Sequence, residues 1–264
     1  MSISIGQYYP KDSFIHKLDS RVKLILTICF VVMILNADSI VNYGTVLFIL
    51  FSVILLSRVP FKIVIKSVKK IMIIILFTIF VNLFFIKDGN YIVNFYFINI
   101  TDEGAIISLK TALNLIMLFI SSSVLILTTR PVELTNAIEY ILSPLKLIKV
   151  PVGDIAMMIT IAIRFIPTLY DELEKIKKAQ TARGIDFSKG SLIKRIKAYV
   201  PIVIPMFTAS FRYADGLALA MEARCYGNNN VKRTIMKQRK LNKNDILAIF
   251  VFLIILILGF GGLV

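Results

Sequence analysis

An uncharged stretch of 19 residues, 246 to 264, constrains this chain most, because a helix of that length comes close to crossing the ~30 Å hydrocarbon core of a bilayer. Four more uncharged runs cover 24 to 37, 41 to 57, 71 to 86 and 111 to 129. Lysines and arginines flanking the shorter ones can lay their stems along the apolar layer and keep their charge in water. With 57% hydrophobic residues and a mean hydropathy of +0.80 over 264 residues, the composition is far from that of a soluble domain. The pattern predicts an all-α polytopic membrane protein with about five transmembrane helices.

The basic residues orient it. If the N-terminus lies inside, 29 of the 31 lysines and arginines fall on cytoplasmic pieces and only Lys87 and Lys110 fall on or near the other side. The outside loop from 87 to 104 is then short and carries Asp88, Asp102 and Glu103. Four parts follow: a cytoplasmic segment 1–23, a four-helix membrane part 24–129, a cytoplasmic, membrane-proximal module 130–244 and a last transmembrane helix 245–264 whose end lies outside. A bacterial plasma membrane is the expected location. The net charge of +15 does not point to nucleic acid, because the cations sit beside apolar runs instead of forming a basic domain.

The 130–244 module holds 20 basic and 9 acidic residues yet keeps long apolar stretches. Residues 131 to 150 read as a short amphipathic helix interrupted by Pro144, able to lie on the membrane surface. A long helix then runs from the Ile155 region, with a kink expected at Pro167, and a second passes Pro201 and Pro205. Their ends look alike: Thr181-Ala182-Arg183-Gly184-Ile185 and Glu222-Ala223-Arg224-Cys225-Tyr226-Gly227, with the arginines 41 residues apart. Counting back from each arginine by 3, 7, 10 and 14 gives Gln180, Ile176, Leu173 and Leu169, then Met221, Leu217, Ala214 and Ser210. That spacing is one face of a helix, and Gly184 or Gly227 would supply the left-handed stop. One such end is ordinary; two in matched register indicate a shared role, a cation presented at each tip.

Chemistry has no candidate. The sequence has no phosphate loop and no paired histidines on a helix, and its one histidine, His16, reads as a surface or packing residue. Cys29 and Cys225 lack the spacing of a disulfide or metal site. Asn82, Asn114 and Ser121-Ser122-Ser123 read as interhelical hydrogen bonders, since no intramembrane carboxylate or lysine pair accompanies them. No catalytic, cofactor-binding or metal site is expected. The two tips suit docking into acidic grooves of two soluble partners, an ATPase dimer above all, because a guanidinium forks onto a carboxylate.

Arg164-Phe165-Ile166-Pro167-Thr168-Leu169, Ala179-Gln180-Thr181-Ala182-Arg183-Gly184 and the run from Ala214 to Arg224 resemble the T component of energy-coupling factor transporters. The similarity covers nearly the whole chain, and the leader from Gly6 to Leu24 looks like the form that serves several vitamin-binding subunits. The resemblance implies a subunit joining two ABC-type ATPase subunits to a small membrane substrate-binding subunit, with Ala182, Arg183, Gly184, Ala223 and Arg224 as the ATPase-coupling residues. Cys225 departs from the family's glycine, which moves the expected helix stop to Gly227. The apolar starts of the two long helices, with Ile155, Ile159, Val203, Met206 and Phe207, are the expected contact for the substrate-binding subunit. Two other classes compete: the permease of an ordinary ABC importer, which lines the substrate path itself, and a secondary carrier that works without ATPases.

Overall fold

A computed structural model describes residues 8–86, 91–95, 98–187, 191–226 and 242–260. Its helices are α1 (Phe14–Lys17), α2 (Ser20–Leu35), α3 (Ile40–Ser57), α4 (Phe61–Lys69), α5 (Met72–Phe85), α6 (Asp102–Thr128), α7 (Pro131–Leu142), α8 (Val152–Ala182), α9 (Leu192–Ala223) and α10 (Lys243–Phe260). As expected, this is an all-α polytopic membrane protein, and the described part of each of the five uncharged runs lies on a helix. By length and composition, α3, α6 and α8 can cross a membrane, or four spans exist if α4 and α5, which meet at a 53° bend, form one. Against the expected five, α2 falls short at 16 residues, while α8, placed wholly in the 130–244 module by the sequence, qualifies.

Two local expectations change. Within the 87–104 stretch, β1 (Tyr91–Phe95) and β2 (Ile98–Thr101) pair antiparallel with Phe95 opposite Ile98, in keeping with their β-branched and aromatic content. Asp102 and Glu103 belong to the first turn of α6 instead of to a loop, and there they complement the positive end of the helix dipole. Farther on, α7 stops at Leu142 and a 3-10 turn over Ser143–Ile148 carries Pro144, as the interruption predicted.

The chain divides into two compact units. One takes the described residues up to Ala156 together with 242–260; the other takes 157–226. The break falls inside α8, and α7 lies in the unit of the first helices. In the first unit α6 packs on α2, α3, α4 and α5, and α10 packs on α2 and α3. Phe30, Met33 and Ile34 of α2, Val46, Ile49 and Leu50 of α3, and Met117, Val124 and Leu127 of α6 form the core. Ile40, 91% exposed, and Phe48, 64% exposed, face outward, as a helix surface does where lipid replaces water. α10 approaches α3 so closely that a Cβ on Gly259 would lie 2.9 Å from Thr45 Oγ1. Asn114 was expected to bond between helices, but its buried Oδ1 has no partner among the described residues.

Polar contacts in this unit concentrate at helix ends, where backbone groups have no partner along the helix. Lys23, 5% exposed, donates its ammonium to the Thr128 carbonyl at 3.0 Å and the His16 carbonyl at 3.4 Å, and the Tyr9 amide donates to the Leu127 carbonyl at 2.9 Å. The last turn of α6 is thereby closed by a cation, the sign its dipole favours. Asp245, 2% exposed, accepts from the Asn242 amide at 2.7 Å and, across 226 residues, from the Asp19 amide at 2.8 Å. Asp19 in turn accepts from Arg21 N at 2.9 Å to cap α2. Thr101, fully buried, caps α6 through Gly104 N and donates to the Ile86 carbonyl at 3.0 Å just after α5. His16 packs as expected: its ring meets Ser13 Oγ at 2.7 Å and the Tyr9 carbonyl at 3.0 Å, and burial lowers its pKa.

Asp245→Ala strands two amides at once. We expect a loss of about 2 kcal/mol or more, at ~1–3 kcal/mol for each unsatisfied buried group, read as a lowered melting temperature of the purified chain in detergent. An unchanged melting temperature would show that the carboxylate does not join the leader to α10.

Candidate coupling surface

In the second unit, α8 and α9 are each continuous despite internal prolines, Pro167 in one and Pro201 and Pro205 in the other. Proline costs a helix the bond from its missing N–H to the carbonyl four residues back. Pro205 therefore leaves the Pro201 carbonyl without its helical donor. Gln180 Nε2 reaches that carbonyl from α8 at 3.4 Å, and Gln180 is buried. Its role at the helix contact was missed in the sequence, although Pro205, which frees the carbonyl four residues back, is legible there. A second contact pairs Phe165 of α8 with Tyr213 of α9, ring centroids 6.2 Å apart. Since the later residue on α8 meets the earlier one on α9, the two helices run in opposite directions.

The two helix ends are the same structure 41 residues apart. In the first, Gly184 takes φ +90°, its amide donates to the Thr181 carbonyl at 3.0 Å, and the Ile185 amide donates to the Gln180 carbonyl at 3.1 Å. In the second, Cys225 takes φ +56°, its amide donates to the Glu222 carbonyl at 2.8 Å, and the Tyr226 amide donates to the Met221 carbonyl at 2.9 Å. This pair of closing bonds is the Schellman motif. The expected stop at Gly227, which lies outside the described residues, is therefore corrected: α9 stops at Cys225, in register with Gly184. Ala182 and Ala223 are the last helical residues, and Arg183 and Arg224 follow as the C-caps. Both arginines are exposed, and neither guanidinium has a partner among the described residues.

The stripe behind Arg183 is the less exposed face of α8, from Leu169 to Gln180. On α9 the face is shifted, with Tyr213 turned in where Ala214 was expected. Because the helices oppose each other, the arginines are not brought together. Arg183 lies within a turn of the Gln180 contact, whereas the 23 residues from Pro201 to Arg224 span about 35 Å of helix. Of the expected substrate-subunit contacts, Ile155, Ile159, Val203 and Phe207 are exposed and Met206 is half-buried. Ile193, Ile196, Val200, Val203, Phe207 and Phe211 recur at helical spacing as one exposed apolar stripe on α9.

A Cβ on Gly184 would meet nothing within 4 Å, so its constraint is φ alone. We expect Gly184→Val to cost about 1–2 kcal/mol and to speed hydrogen exchange of the Ile185 amide. The Tyr226 amide should be unaffected, and Cys225→Gly should leave both protected. Slow exchange at Ile185 in the valine variant would contradict the left-handed stop.

The profile of the family described as cobalt transport protein, CbiQ, matches residues 11–235. Several relatives are named energy-coupling factor transporter transmembrane protein EcfT. The one from Ruminiclostridium cellulolyticum is 47% identical, covering 93% of this chain and 91% of its own. That from Clostridium kluyveri is 46% identical over the same shares, and that from Bacillus subtilis is 40% identical over 85% of each chain. With most of its length matched and its two helix ends built alike, the chain belongs to the CbiQ family and, within it, to the transmembrane T components of energy-coupling factor transporters.

Proposed function

We propose that this chain is the coupling subunit of an energy-coupling factor importer, passing ATP-driven motion from two ABC-type ATPase subunits to a small membrane subunit that binds a vitamin or other micronutrient. Arg183 and Arg224 dock into acidic grooves, one on each ATPase, and Ala182, Gly184 and Ala223 let the grooves close on the tips. The observation that carries this is the pair of identical hydrogen-bonded ends, each presenting an exposed arginine, at opposed ends of two helices. One groove cannot take both, so two docking points are needed. ATP hydrolysis belongs to the partners, and this chain is not itself an enzyme.

The exposed stripe on α9, centred on Val203 and Phe207, is the seat of the substrate-binding subunit. Six apolar side chains in a row suit a broad contact with few directional bonds, which lets different subunits exchange. The reading as an ordinary permease is less well supported. The cleft of about 470 Å³ among α1, α2, α3, α6 and α10 is mostly apolar, and its Thr27, Ser52 and Thr128 hydroxyls are bonded to their own helices. That lining offers little to a polar micronutrient.

Uptake in reconstituted vesicles, with copurification of each partner, tests the reading. Losing one arm of a buried charge pair costs ~2–5 kcal/mol, so Arg183→Ala and Arg224→Ala should each weaken ATPase capture, and the double variant should abolish uptake. Lysine at either position should rescue poorly because it lacks the fork. Val203→Asp should release the substrate-binding subunit while the ATPases stay. Full uptake by the double alanine variant, or loss of ATPases from the aspartate variant, would sink the assignments.

Orientation follows the charge asymmetry over the five crossings read from the sequence, α2 among them despite its 16 residues and α8 not among them, with the N-terminus cytoplasmic and the C-terminus outside the plasma membrane. In a chain whose Cys29 and Cys225 are replaced, Asp38→Cys should label from outside and Ser191→Cys only from inside. External labelling at position 191 would reverse the topology.

A further inference from the structure

Helix α4 sorts its side chains into three sectors around its axis at 3.6 residues per turn. Val64 and Ser67 are buried, Val64 in the hydrophobic core of the first unit. Phe61 and Ile65 share a second sector and stand 45% and 65% exposed. Lys62, Lys66 and Lys69 fill the third, beside Phe61 and Ile65, and all are exposed, with Lys70 following just past the helix. None of the four lysines has a carboxylate partner among the described residues, and no acidic residue occurs in the sequence between Asp38 and Asp88. A 53° bend then leads into α5, which is uncharged from Met72 to Phe85.

We propose that α4 lies in the membrane interface and binds the headgroups of anionic phospholipids, with Phe61 and Ile65 in the acyl layer and the four lysines on the phosphates. The bend is where the chain turns from the plane of the surface into the hydrocarbon. A helix with bare apolar side chains next to a row of cations matches a surface whose charge lies directly above its oil. Lysine suits mobile headgroups: its ammonium is a point charge on a flexible stem, needing no fixed geometry, and can extend from an apolar edge to the phosphate level. An acidic protein surface would satisfy the lysines but would leave the exposed parts of Ile65 and of Phe61, whose ring otherwise meets Phe51 at 6.2 Å, uncovered.

The sequence contains no tryptophan, so Phe61→Trp gives the full chain a single reporter. The reporter chain is reconstituted in phosphatidylcholine vesicles with phosphatidylglycerol, and either lipid is brominated to quench it. Phe250→Trp, an exposed position on α10, supplies the bulk value. Relative to bulk, phosphatidylglycerol should be enriched at α4 by about fivefold or more, the factor one lysine near an anionic surface provides. Raising salt from ~0.1 to ~1 M should remove most of the enrichment as the screening length falls from ~10 to ~3 Å. Replacing all four lysines with glutamine should abolish it, and replacing them with arginine should keep it. Equal quenching by both lipids with the lysines intact would overturn the proposal, as would an enrichment that survives glutamine. Displacement of the lipid by inorganic phosphate at matched ionic strength would assign the site to a free anion and overturn it as well.

Discussion

A helix leaves carbonyls at its end with no partner, and a membrane protein has little water to offer them. The fold is organised around that constraint. Lys23 closes α6, Asp245 serves the starts of both α2 and α10, Thr101 ties the start of α6 to the residue after α5, and Gln180 supplies the donor that Pro205 lacks. Each unmade bond costs ~1–3 kcal/mol, against a total stability of ~5–15 kcal/mol for a typical domain. Few of these groups can be lost. Apolar contact alone does not select one arrangement of helices that are apolar on most faces, whereas these polar closures fix which end meets which.

The long helices use the same solution to a different end. Their closing bonds satisfy the last carbonyls from within the backbone, so no side chain is consumed in capping. The arginine at each C-cap is left to project outward, where the helix dipole favours its charge. A tip that needed Arg183 or Arg224 to cap its own helix would have nothing to present.

Much of this was legible beforehand. The apolar runs fell on helices, Pro144 marked the end of α7, and the repeat of 41 residues identified both tips. The buried face of each membrane helix was not legible, because α3 is apolar nearly all round and periodicity vanishes when lipid and core both accept the same side chains. Cys225 was misjudged since a left-handed residue usually advertises itself as glycine; here the two closing backbone bonds accompany a small side chain in that conformation. Tyr213 replaced Ala214 on the inner face because the Phe165 ring lies opposite it, a fact about a neighbour 48 residues away. Lys23, one of the charges counted as cytoplasmic, is buried on carbonyls that no local pattern reveals.

The placement of Gln180 makes the two tips mechanically unequal. Arg183 stands three residues beyond the bond to α9, so a displacement there passes to α9 through a stiff, short arm. Arg224 stands 11 residues past the Tyr213 ring contact with α8, about 16 Å along the helix, and moves as the end of a longer lever. Equal travel at the two tips is therefore converted into unequal rotations. The carbonyl that Pro205 leaves without a helical donor lies at the Gln180 bond, where α9 has one fewer internal bond resisting flexure.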